Sequence, residues 1–183
     1  MPEKMFLVAS EAVQDPFFRQ SVVLILPAGN AGGIIGLIIN RPTTFPFGRL
    51  FPHEKSLHAR RIPVHFGGPV SLAAPAFLVR SKSQPAGLLH LFEDVYLGTD
   101  IDVLKRLVKR ANTDTGFRVY LGHAGWSVDQ LGGEIADGGW YVVPADATTV
   151  FTTKPQALWS TLLARARMRP VTVRRALSLQ GDR

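Results

Sequence analysis

Residues 22–43 read VVLILPAGNAGGIIGLIINRPT, two aliphatic runs joined by a glycine-containing loop and closed by a polar stop. The runs at 22–26 and 34–39 are rich in β-branched residues, which favours strands. The short connection between them, bounded by Pro27, predicts a hairpin. Because the aliphatics are continuous rather than alternating, both faces of each strand should be covered, and we expect two central strands.

The glycines of this loop do not match a nucleotide-binding pattern. A dinucleotide-binding loop needs Gly-x-Gly-x-x-Gly followed by a helix whose first amides hold the phosphates. Here the glycine spacing differs, and a strand-like segment follows the loop. The chain also lacks the Gly-Lys-Ser or Gly-Lys-Thr of a Walker A loop. The sequence therefore argues against phosphate binding by these glycines.

The rest of the chain places strands first and helices later. Further strand-like segments are 5–9, 62–66, 76–80, 87–91, 117–121 and 140–143. Helices are predicted where a capping residue precedes an apolar stripe: after Thr99, after Ser127 and after Thr153. This order, with hairpin-length connections, predicts a single α+β domain with a mixed, largely antiparallel sheet.

Composition restricts the class of protein and its chemistry. The 183 residues contain no cysteine, which excludes disulfides, thiolate nucleophiles and cysteine-bound metal sites. No segment approaches the roughly 20 apolar residues of a membrane span, and the apolar start is too short for a signal peptide. We therefore expect a cytoplasmic protein that does not interact with a membrane.

The net charge of +7 is concentrated at the C-terminus. Residues 165–183 carry six arginines and one aspartate, a net +5, which leaves +2 for residues 1–164. Counterion release could bind this tail to nucleic acid, through Arg165, Arg167, Arg169, Arg174 and Arg175. A solvated helix end with a frayed terminus is the alternative. We divide the chain into a domain, 1–164, and a basic extension, 165–183, predicted to be a helix end followed by a flexible segment.

No catalytic constellation can be identified. Residues 122–129 bring His123, Ser127 and Asp129 close in sequence, but the Gly-x-Ser-x-Gly elbow is missing and Ser127 is predicted to cap a helix. His123 could act as a general base or as a hydrogen-bonded structural residue. The five histidines lack metal-ligand spacing. The sequence therefore predicts neither a metal nor a cofactor.

Five segments in order and spacing resemble the YqgE/AlgH family. They are 15–18 (DPFF), 36–43 (GLIINRPT), 66–70 (FGGPV), 94–97 (DVYL) and 122–126 (GHAGW). The resemblance implies a bacterial, cytoplasmic α+β domain whose sheet is partly barrel-like and surrounded by helices. It also implies a non-enzymatic regulatory or interaction protein, since one branch is linked to transcriptional control and the family has no agreed catalytic residues. Residues 45–61 depart from the family pattern and look looser than the helix usual there.

The matching segments contain one polar cluster. Arg41 precedes Pro42 and is held extended, so its side chain should project from a strand end. Turns at strand ends can converge on an anion-binding pocket, which predicts a ligand- or partner-binding cluster of Asp15, Asn40, Arg41, Gly67 and Gly68, with His123 as a further member. A purely structural role is the first interpretation of Asn40, Arg41 and Pro42, and a small-molecule binding protein or enzyme using this cluster is the alternative function. The protein partner and the oligomeric state stay undetermined.

Overall fold

The computed structural model describes residues 4–27, 33–111 and 114–168. Within these ranges the chain forms ten strands in two five-stranded sheets, four α-helices and three short 3₁₀ turns. The α+β class is confirmed.

The first sheet contains the two aliphatic runs. Its strands, in spatial order, are β10 (Trp140–Pro144), β1 (Met5–Ala9), β2 (Val22–Ile25), β3 (Ile34–Ile38) and β9 (Ala124–Trp126). Every neighbouring pair is antiparallel. The predicted hairpin is confirmed, since Leu24 lies opposite Leu37, and β2 and β3 are interior strands as expected. Most of the connecting glycine loop, 28–32, lies outside the described residues.

The second sheet is mixed. It contains, in spatial order, β4 (Val64–Phe66), β8 (Phe117–Leu121), β5 (Ala76–Arg80), β7 (Val95–Gly98) and β6 (Leu89–Phe92), and only the β4–β8 pair is parallel. The expectation that part of the sheet is barrel-like is wrong, because in the described ranges the two sheets do not close into a barrel. Isolated antiparallel bridges also pair Pro42 with His65 and Val70 with His123.

The two sheets pack face to face, and strand alternation explains how. Phe6 and Val8 of β1 join the core between the sheets, whereas Leu7 and Ala9 join the core on the opposite face. Both faces of this strand are therefore buried, as its continuous aliphatic sequence predicts.

Helices cover the outer faces and one edge. They are α1 (Ile101–Arg110) against the second sheet, α2 (Val128–Ala136) against the first, a short α3 (Ala147–Val150), and α4 (Leu158–Met168) beside β1 and β10. The polar segment before β4 holds two 3₁₀ turns, Phe47–Leu50 and Lys55–Leu57, in place of a longer helix. No helix in the described ranges has the length and apolar character that crossing a membrane requires.

The helix caps agree with the sequence in part. Asp100, rather than Thr99, caps α1, because its carboxylate accepts from the amides of residues 102 and 103. Ser127 caps α2 as predicted, but the Gln130 side chain donates to Glu134 instead of completing the box. The box expected at Thr153 is wrong, since a 3₁₀ turn, Pro155–Ala157, comes first and α4 begins at Leu158.

Candidate functional site

A cleft of about 810 Å³ opens beside the parallel strands β4 and β8. It is lined by cationic and polar side chains and by the turn that precedes α4; they include Arg60, Arg61, His65, Asp114, Arg118, Phe151, Thr152 and Gln156. We call it the Arg118 cleft.

Strand alternation brings polar side chains of β4 and β8 together on one face, and two of them, Arg118 and His65, line the cleft. In β8, Phe117 and Val119 join the core under α1, so Arg118 and Tyr120 point to the opposite face. His65 of β4 is paired in register with Tyr120, and their rings lie 5.3 Å apart. Three polar side chains thus share one face of an otherwise apolar sheet.

Arg118 is a buried cation, only 6% exposed. Its guanidinium donates to the carbonyl oxygens of residues 115, 117, 151 and 152 at 2.8 to 3.2 Å, and it lies 5.5 Å from the Phe151 ring centre. No described carboxylate forms an ion pair with it. Burial lowers the pKa of Arg118, but a guanidinium stays protonated in proteins. Among the described residues, carbonyl dipoles and the Phe151 π face thus offset a positive charge in the cleft.

His65 and Tyr120 are both in their neutral forms. Burial, with a smaller contribution from the nearby charge of Arg118, lowers the pKa of His65 to about 4, although hydrogen bonding to the Val119 and Pro63 backbones opposes the shift. Burial likewise raises the pKa of Tyr120. Among the described residues, neither His65 Nδ1 nor the Tyr120 hydroxyl has a hydrogen-bond partner. His65 lines the cleft and therefore offers it an unused ring nitrogen, whereas the fully buried Tyr120 is not among the lining residues.

The mouth of the cleft holds two more arginines and one carboxylate. Asp114 accepts from Arg60 Nε at 2.6 Å and from the Arg61 amide at 2.5 Å. Arg60 also donates to the carbonyl of Ala111 at 3.2 Å. The Arg61 residue is exposed, and its side chain forms no ion pair with a described carboxylate. Three arginines and one engaged aspartate give the lining a positive balance.

The predicted cluster is divided between separate places. Asn40 and Arg41 line a pocket of about 310 Å³, the Arg41 pocket, together with Pro16, Arg19, Gln20, Gln156 and Trp159. Asp15 lines another pocket, of about 490 Å³. Gly67 and Gly68 line neither of these two pockets, which therefore do not bring all of the predicted residues together.

Asn40 and Arg41 both hold the loop between β1 and β2. Asn40 is 8% exposed, accepts from the Val22 amide at 2.8 Å and donates to the Gln20 carbonyl at 2.9 Å. Arg41 donates to the carbonyls of Pro16 and Arg19 at 3.1 and 2.7 Å. The polar stop of the opening stretch is therefore committed to backbone contacts, although the Arg41 residue is only half-buried.

The other predicted residues also have backbone partners. Asp15 caps its own turn, accepting from the amides of residues 17 and 18. The Gly67 amide donates to the Leu121 carbonyl at 2.8 Å, and a Cβ at Gly68, whose φ is +150°, would overlap the backbone of His123. His123 itself pairs through its backbone with Val70. The two glycines are thus required for close approach of two chain segments.

The basic extension is described only at its start. Arg165 and Arg167 belong to α4, and Arg167 pairs with Glu11. Arg169, Arg174 and Arg175 lie outside the described residues. Within the described ranges, no group of three or more His, Asp or Glu side chains could hold a metal ion.

The residues of the Arg118 cleft were missed by the sequence reasoning. One available signal was Arg118 itself, a charged residue in the interior of the apolar strand FRVYL. A charged side chain inside a buried strand needs partners or a function. Its convergence with His65 depends on a parallel pairing between segments more than 50 residues apart, which no local pattern reveals.

Comparison with known proteins agrees with the fold and the earlier resemblance. The AlgH-like (DUF179) family model matches residues 6–171. A UPF0301 protein of Thermobifida fusca is 38% identical over 87% of this chain and 84% of its own length, and one of Methylococcus capsulatus is 34% identical over 88% and 89%.

Two solved structures share the architecture. The solution structure of the AlgH protein from Pseudomonas aeruginosa has a TM-score of 0.69 and 27% identity, covering 100% of this chain and 95% of its own. A crystal structure from Corynebacterium diphtheriae has a TM-score of 0.72 at 20% identity, covering 97% and 91%, and supports the fold alone. On the strength of the family match and these relatives, the chain belongs to the AlgH-like family.

Proposed function

We propose that this protein is a non-enzymatic regulatory or interaction protein that binds an anionic small molecule in the Arg118 cleft. The observation that carries the proposal is the buried guanidinium of Arg118, which has no described carboxylate partner. A buried charge is costly without a counter-charge. An anion entering the cleft would supply that counter-charge in a region of low dielectric.

The lining favours binding over chemistry. Asp114 is the carboxylate among the described lining residues, and it is already bonded to Arg60 and to the Arg61 amide. The His65 imidazole is 2% exposed and stays neutral at pH 7. A neutral imidazole can donate a hydrogen bond to an anion without adding a charge of its own. The proposal includes the cytoplasmic location that the sequence favours.

Direct titration tests the proposal. Isothermal calorimetry with inorganic phosphate, sulfate, citrate and ATP should detect at least one anion with a dissociation constant below about 1 mM, a free energy of about −4 kcal/mol. Arg118→Met keeps an unbranched side chain and removes the charge, so it should weaken that binding at least tenfold. Thermal shift with the same anion should show the matching loss of stabilisation.

A matched variant controls for net charge. Arg106 is exposed on α1 and lines neither pocket, so Arg106→Gln should leave anion binding within twofold. Arg61→Gln, at the exposed mouth, should weaken binding without a change in fold. Binding that survives Arg118→Met unchanged, or no binding of any of the four anions at 10 mM, would contradict the proposal.

Transcriptional regulation through the basic extension is a second candidate. It is supported by the +5 charge of residues 165–183. Ala166 of α4 is buried, so the test should remove only residues 169–183. If this extension contacts DNA, the truncated chain should bind a duplex more weakly and with a smaller salt slope. An unchanged affinity and slope would exclude the extension as the contact.

A further inference from the structure

The Arg41 pocket adjoins the Arg118 cleft along one segment of chain. Gln156 lines both, and the consecutive residues Arg41 and Pro42 line one each. The segment that carries Gln156 is anchored at both ends: the carbonyls of residues 151 and 152 accept from Arg118, and Trp159 Nε1 donates to the Ala9 carbonyl at 2.7 Å. The two cavities therefore share a fixed wall.

The Arg41 pocket is cationic in its own right. Arg19 and Arg41 both line it, no carboxylate is among its described lining residues, and neither arginine forms an ion pair with a described carboxylate. Burial lowers the pKa of Arg41, and the like charge of Arg19 lowers it further, while Asp15 opposes the shift. Two like charges held near each other attract an anion placed between them.

From this arrangement we infer that the ligand carries two anionic groups, one bound in the Arg118 cleft and the other between Arg19 and Arg41, with its linker crossing Gln156. This inference rests on the proposed anion site and adds the class of ligand to it. Each group alone gains one set of charge-assisted contacts. Joining them makes the second contact intramolecular, so affinity should rise steeply when the linker spans the two cavities and fall when it is shorter or longer.

Alkane bisphosphonates with one to ten methylenes provide the probe, with ethylphosphonate as the single-group reference. Calorimetry on the intact chain should show an optimum linker length that binds at least tenfold more tightly than ethylphosphonate. A gain that is the same at every length, or a gain below twofold throughout, would overturn the inference.

Two variants test the second cavity. Arg19 is exposed, and none of the described hydrogen bonds uses its side chain, so Arg19→Gln should weaken the optimum bisphosphonate more than ethylphosphonate and remove most of the linker gain. Gln156→Glu puts a carboxylate between the cavities and should weaken the optimum bisphosphonate more than ethylphosphonate. Arg106→Gln is the matched control and should preserve the gain.

The outcomes separate this inference from the proposed function. If ethylphosphonate binds in an Arg118-dependent way but no bisphosphonate binds more tightly, the two-group ligand is wrong and the anion site stands. If bisphosphonates show a length optimum that Arg19→Gln does not affect, the second group lies elsewhere and the inference is again wrong. If no phosphonate binds at 10 mM, the two-group ligand is wrong, and the titration with the four anions decides the anion site separately.

Discussion

Asn40 offers a sharp test of whether the polar end of β3 is structural. Its side chain accepts from the buried Val22 amide at 2.8 Å and donates to the Gln20 carbonyl at 2.9 Å. Gln20 adopts a φ of 54°, a region that non-glycine residues rarely occupy. Asn40 therefore fixes the start of β2 and holds a strained turn residue in place.

Asn40→Ala removes both hydrogen bonds. The Val22 amide, in a residue with no exposed surface, would lose its partner at a cost of about 1 to 3 kcal/mol. The Gln20 carbonyl belongs to an exposed residue and can bond water, which adds about 1 kcal/mol. We expect the free energy of unfolding to fall by about 2 to 4 kcal/mol, with a melting temperature lower by roughly 10 °C.

Urea denaturation followed by circular dichroism measures this difference at constant m-value. Asn40→Asp keeps the acceptor for the Val22 amide and loses the donor to the Gln20 carbonyl. At pH 7 it should lower the free energy of unfolding less than Asn40→Ala only if the repulsion between its carboxylate and the Gln20 carbonyl is small. Gln14→Ala, which removes one exposed side-chain bond, is the control and should change stability by less than about 0.5 kcal/mol. An Asn40→Ala protein as stable as the control would refute the structural role.

Three further predictions concern stability. His65 is protonated near pH 6.5 in the unfolded chain but only near pH 4 in the native protein, so the free energy of unfolding should fall by up to about 3 kcal/mol between pH 7 and pH 4. His65→Gln should reduce this pH dependence and the exposed His53→Gln should keep it, whereas equal pH dependence in both variants would contradict the role of His65. Gly68→Ala should lower the free energy of unfolding, measured by urea denaturation, by more than about 3 kcal/mol, whereas Gly132→Ala, which has open space around it in α2, should raise it by about 0.5 to 1 kcal/mol. Similar effects at both positions would be inconsistent with the close approach of Gly68 to the His123 backbone. Glu134→Ala leaves two tryptophan indole donors unpaired and should cost about 2 to 3 kcal/mol with a shifted tryptophan emission; unchanged emission and stability would show that the carboxylate is dispensable.

Local patterns were sufficient for most of the secondary structure. Continuous aliphatics marked β2 and β3 as interior strands, and Ser127 marked the start of α2, because these signals act over a few residues. Local patterns were insufficient for the shortest elements, because the three-residue β9 and the four-residue α3 are too short for a periodic signal. The Thr153 signal failed because a 3₁₀ turn precedes α4 there.

The polar cluster shows the same division on the scale of a site. Sequence order correctly placed Asn40 and Arg41 at a strand end, and the structure puts them in one pocket. Sequence order could not show that these side chains form hydrogen bonds with the backbone of residues 16–22. Those partners lie about 20 residues away in the chain, and their position depends on how the loop folds.

The sequence by itself determined the α+β class, the central hairpin and the concentration of charge at the C-terminus, because each follows from composition or short-range periodicity. Tertiary structure alone decided which polar side chains converge. Arg118 and His65 meet only because β4 and β8 pair in parallel, and Arg19 and Arg41 meet only because a loop folds back on a strand end. Long-range pairing sets those distances, and it leaves no periodic trace in the chain.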